Sequence, residues 1–210
     1  METIRRSGKS KVIFGGFFLG IILGILARIW MRWISTDPEF SWSGSIFIVG
    51  AFTIFFTNQS IVLLLRRKTL GKKRTTLVRT VGVIFSLPIF SAAGGIMFPT
   101  VALASVGVWN RQLGRLTRRI LIGLSLIIPI KISLDILSDF GWTLATLGRL
   151  LLFTFIYGLV IVATRPTMSP FSEAGAVRNK LSKRTKIALT LGILTIGALF
   201  YLFTAGIPRT

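Results

Sequence analysis

A chain of 210 residues with 26 Lys and Arg against 6 Asp and Glu has a net charge of +20, yet it is 52% hydrophobic with a mean hydropathy of +0.75. That is more apolar sequence than an ordinary soluble domain buries, and the bases flank apolar runs and do not stripe a soluble face, which argues against a nucleic-acid partner. With no His and no Cys, Ser-His and thiolate chemistry, disulfides and Cys-type zinc or iron-sulfur sites are all ruled out, so no catalytic residue, cofactor or metal is expected.

The N-terminus has the order of a signal sequence. Arg5, Arg6, Lys9 and Lys11 precede an apolar run that continues past Ala27 into Arg28, Ile29 and Trp30 with no small-x-small cleavage site. That pattern reads as a signal anchor with its N-terminus inside. Arg5-Arg6 is a twin-Arg pair, but the residues after it do not make an export motif. The spans expected are about 12–34, 44–65, 80–92, 96–109, 120–137, 143–164 and 187–206, since runs near 20 apolar residues match a bilayer.

The third and fourth spans form the ambiguous stretch, because Pro88, Gly94-Gly95 and Pro99 interrupt it. Read as one span, 80–109 gives six spans and puts Arg111, Arg115, Arg118 and Arg119 outside, against the bias of Lys and Arg toward the cytoplasm. Two short spans or a re-entrant hairpin return the chain inside. All four basic clusters then share one side, and 21 of the 26 bases lie in them. The expected fold is therefore all-α, one integral membrane helical bundle of about seven spans in the plasma membrane. Its bases would meet a bilayer with anionic phospholipid headgroups, at about 1 kcal/mol per Lys or Arg.

Within span one, Gly16, Gly20 and Gly24 repeat every four residues, a spacing that lets two helix backbones approach closely. The pattern does not distinguish a partner helix in the same chain from a homo-oligomer. It does predict that Arg28, next on the stripe, faces protein. In span two, Asn58 and Gln59 are expected to bond between helices.

Charges inside the spans are the candidates for a polar site. Arg28, Lys131 and Arg149 each lie six residues, about 9 Å, from the external end of their span. An unpaired base at the centre of a span costs about 2.5–3.5 kcal/mol, so such groups seek partners. Asp135 is one turn from Lys131, and Asp37, Glu39 and Asp139 sit in the two external turns beside Arg32 and Trp42. This set reads either as a network that fixes helix packing or as an outer polar cavity holding a phosphate or carboxylate. The turns Glu39-Phe40-Ser41-Trp42 and Asp139-Phe140-Gly141-Trp142 share an acid-Phe-small-Trp pattern. Interfacial anchoring explains the tryptophans, and a duplicated hairpin is the alternative.

The segment Arg28 to Ser45, with its Arg-rich helix end running into Asp37-Pro38-Glu39-Phe40-Ser41-Trp42, resembles a group of uncharacterised bacterial multi-spanning membrane proteins. The resemblance implies no activity. It marks Arg28, Arg32, Asp37, Pro38, Glu39, Phe40 and Trp42 as residues to mutate first. The function expected is a non-catalytic membrane component that binds lipid or a partner protein. A small transporter using the outer charges is the second reading, and a lipid-modifying enzyme the third.

Overall fold

The computed structural model describes residues 2–35, 40–66, 72–92 and 97–169. The described residues form eight helices and no strand: α1 Glu2–Ile34, α2 Trp42–Arg66, α3 Lys72–Ile84, α4 Leu87–Ala92, α5 Met97–Trp109, α6 Arg115–Phe140, α7 Leu144–Ala163 and α8 Arg165–Met168. Four helical stretches, Gly8–Ile34, Trp42–Arg66, Arg115–Phe140 and Leu144–Met168, are long and apolar enough to cross a membrane. Met97–Trp109 is a shorter apolar helix. The 187–206 span expected from sequence lies outside the described residues.

Helices α1 and α2 form an antiparallel pair with almost nothing between their backbones. A Cβ on Gly16 would lie 2.8 Å from the Phe56 carbonyl oxygen, one on Gly20 2.6 Å from Thr53 Cα, and one on Gly24 2.7 Å from Val49 Cα. As the glycine number rises the contacted residue number falls, which fixes the antiparallel register. The glycine stripe is thus occupied by a helix of the same chain. Ser41 precedes α2, with its Oγ accepting from Gly44 N at 3.2 Å, as a helix-capping serine does.

Helix α7 packs against α1 alongside α2, and Trp30 stacks on Phe153 with ring centroids 5.1 Å apart. The core shared by α1, α2 and α7 includes Leu23, Ala27, Phe52, Phe55, Ile156 and Val160. Helices α5 and α6 make a second antiparallel pair. In α6, Pro129 has no N–H to offer the Ser125 carbonyl one turn earlier. The Tyr157 hydroxyl of α7 donates to that oxygen at 3.4 Å, so the group left over by proline is met by a neighbouring helix.

After α7 the chain breaks at Thr164 and resumes as the single turn α8, with Pro166 in its first turn. This turn packs on α2, α3 and α5. The expected span 80–92 is in fact the later part of α3 followed by α4, separated by a turn at Phe85-Ser86 ahead of Pro88. Proline lacks the donor an unbroken helix needs there.

Candidate functional site

Among the described residues, the outer-half charges expected as a site each have contacts of their own. Arg28 is half-buried, and its Nε donates to Ser45 Oγ of α2 at 3.0 Å. Ser45 Oγ in turn donates to the Ser41 carbonyl at 2.8 Å, tying the end of α1 to the start of α2. Arg149 is held elsewhere. Its Nε donates to the Trp33 carbonyl at 3.0 Å, and its guanidinium lies 3.8 Å from the centroid of the Phe140 ring and 5.4 Å from that of Trp33. Its own carbonyl accepts from Trp30 Nε1 at 2.9 Å.

Arg32 sits 5.2 Å from the Phe40 ring centroid, and Trp42 meets the same ring edge-on at 4.8 Å. Lys131 and Asp135 pair with each other at 3.1 Å on the exposed surface of α6, where Asp139 is exposed as well. Asp37 and Glu39 lie outside the described residues. Among those described, no group of three or more Asp, Glu, His or Cys is placed to hold a metal ion.

The two similar turns are built differently. Gly141 adopts φ 65°, a left-handed conformation that suits glycine, and Trp142 precedes the start of α7. In the other turn a serine stands at the matching position, and Trp42 is already the first residue of α2.

Polar contacts converge instead at the end of the bundle that carries the basic clusters. Asn58 Nδ2 donates to the Gly82 carbonyl at 2.9 Å and Gln59 Nε2 to Ser86 Oγ at 3.0 Å, while Thr167 Oγ1 donates to Gln59 Oε1 at 2.7 Å. Thr164 donates to Ser105 Oγ at 2.7 Å. These buried bonds join α2, the α3–α4 turn, α5 and α8 into one polar layer.

The last carbonyls of the helices meet cations there. Arg66 Nη1 reaches the Pro166 and Ser169 carbonyls at 2.7 and 3.2 Å, and also meets Ser169 Oγ. Arg79 reaches the Thr167 and Met168 carbonyls at 3.1 and 3.3 Å. Arg118 closes α5 in the same way, at 2.8 and 3.1 Å from the Gly107 and Val108 carbonyls. Helix C-termini expose unsatisfied carbonyls and a partial negative charge, which explains the attraction. Burial pulls the Arg79 guanidinium below its ordinary pKa, although arginine stays protonated in proteins.

Beside this layer a groove of about 650 Å³ runs between α1, α2 and α7–α8. Leu19, Phe56, Leu63, Leu159 and Val162 wall it, Gln59 and Ser60 give it a polar floor, and Arg66, Arg165 and Ser169 stand at one end. That volume is in the range of small-molecule and lipid-chain pockets. Arg165 is exposed, with its guanidinium 5.3 Å from the Trp109 ring centroid. Arg79 and Arg165 are both close enough to repel Arg66. The described carboxylates with placed side chains, Asp135 and Asp139, lie toward the far end of α6.

Sequence reading missed this groove because three separated segments build it. Two signals pointed toward it: the run Asn58-Gln59-Ser60 inside an apolar span, and the Pro166 break directly after another. Comparison of the chain with protein-family models, curated proteins and solved structures finds no match.

Proposed function

We propose that the chain is a seven-span protein of the plasma membrane, N-terminus in the cytoplasm, that acts without catalysis by holding an anionic phospholipid at its cytoplasmic end. The acyl chains would lie in the groove between α1, α2 and α7, and the phosphate would meet Arg165 at its mouth. One observation carries this reading. Two guanidiniums, Arg66 and Arg165, stand together at one end of an apolar groove, with Arg79 close enough to add to their positive field. Such a place favours an anion with an apolar tail over a neutral lipid.

The topology is supported by where the ends of 80–109 meet the rest of the chain. Arg79 bonds to α8, and Trp109 Nε1 donates to the Ile161 carbonyl just before α8 at 2.9 Å, so the stretch begins and ends at the same end of the bundle. A 13-residue α5 rises about 20 Å, short of the roughly 30 Å hydrocarbon core. Two short passes packed beside the longer helices accommodate this better than one.

The test is the lipid that stays with the purified protein. Arg165→Gln, which removes charge at the mouth, and Val162→Trp, which fills the groove, are expected to lower co-purified anionic phospholipid several-fold. Arg149→Gln, at the other end, is expected to leave it unchanged. Equal retention in all four proteins removes the reading.

A further inference from the structure

Where the short helices α4 and α5 meet the long ones, five helices surround a second cavity, of about 80 Å³. Its walls come from Trp30 of α1, Phe52 of α2, Ile89 of α4, Val101 of α5, and Phe153 and Tyr157 of α7. The polar atoms of these side chains are engaged elsewhere. Trp30 Nε1 donates to the Arg149 carbonyl at 2.9 Å and the Tyr157 hydroxyl to the Ser125 carbonyl at 3.4 Å. A guest therefore meets ring faces and alkyl groups, a lining that disfavours water and any polar ligand.

Size narrows the class further. An apolar cavity of roughly 150 Å³ takes benzene or xenon, so about half that volume suits a few carbon atoms and not a ring. Met31 of α1 and Met97 of α5 also line the cavity and are only partly buried. Their unbranched thioethers make an adaptable edge through which a narrow chain can pass.

Depth names the source. Phe52 lies ten residues after Trp42, the first of α2, and Phe153 nine residues after Leu144, the first of α7. Both helices begin at the outer end of the bundle, so at about 1.5 Å per residue these side chains sit roughly 15 and 14 Å along them. That is half of a hydrocarbon core about 30 Å thick, the level at which lipid chains end.

We propose that the terminal carbons of a bilayer lipid's acyl chain enter this cavity and pack against Trp30. The chain end completes the core at a level where α4 and α5 are too short to fill it. Among the described residues, none lines both this cavity and the groove at the basic end. The inference rests on the chain spanning a membrane and not on the lipid reading of that groove.

Trp30 is only 8% exposed, so a bromine on a chain that stays outside the bundle does not reach its ring. The full-length protein carrying Trp33→Phe, Trp42→Phe, Trp109→Phe and Trp142→Phe, reconstituted in bilayers, reports Trp30 alone. Phospholipid brominated near the chain terminus is expected to remove most of its emission, and phospholipid brominated near the headgroup little of it. Ala27→Leu and the milder Val101→Leu, both of which fill the cavity, are each expected to restore the emission under terminal bromination. The dependence on bromine position decides alone if a filled variant does not fold. Emission that ignores bromine position, or quenching that persists in both filled variants, overturns the proposal. So does quenching by dissolved bromoform without quenching by terminally brominated lipid, which assigns the cavity to a free apolar molecule.

Discussion

At the scale of single residues, the arginines near helix ends do two things at once. Sequence reading assigned the basic clusters to the cytoplasmic side and to lipid headgroups. The structure turns Arg66, Arg79 and Arg118 back onto the carbonyls that end α8 and α5. A base beside a helix end looks the same in sequence whether it faces water, lipid phosphate or backbone, so this part was not legible. The consequence is measurable. Arg118→Leu strips the Gly107 and Val108 carbonyls of a charged donor and is expected to cost about 1.5–3 kcal/mol, read as a lowered unfolding temperature in detergent. The neighbouring exposed Arg119→Leu should stay within about 0.5 kcal/mol of the parent. Equal effects at the two positions would show that charge number matters here and capping does not.

At the scale of elements, the apolar runs revealed the four long helices but not their ends. Helix α1 reaches back to Glu2 and α6 extends from Arg115 to Phe140, beyond the expected 12–34 and 120–137. Hydropathy reports the part of a helix that suits lipid, and the backbone goes on coiling through polar residues until a glycine or proline stops it. Close approach of α1 was legible from Gly16, Gly20 and Gly24, while the identity of its partner was not, because spacing carries no information about the opposing surface. Gly20→Val would drive a branched side chain into the Thr53 backbone, with an expected cost of about 1–3 kcal/mol or more. Gly15→Ala meets nothing within 4 Å and should be neutral or slightly stabilising in thermal unfolding.

At the scale of the whole molecule, the candidate site shifted from one end of the bundle to the other. Charges inside spans drew attention to the outer half because burying them is costly, and the structure satisfies Arg28 and Arg149 one by one with a hydroxyl, a carbonyl and aromatic rings. The groove at the basic end depends on a three-body arrangement of α1, α2 and α7–α8 that no linear pattern states. Under the seven-span topology, reporter fusions after Thr75 and after Arg115 should both report cytoplasm. Opposite sides would mean that 80–109 crosses once and that the bases of the two clusters face different compartments. The bare backbone contact between α1 and α2 also bears on how the protein is made. Because the two helices are consecutive and leave no gap for a third, they can zip together as soon as the second has left the insertion machinery. Every later helix then adds to a hairpin already closed, so the order of synthesis can serve as the order of assembly.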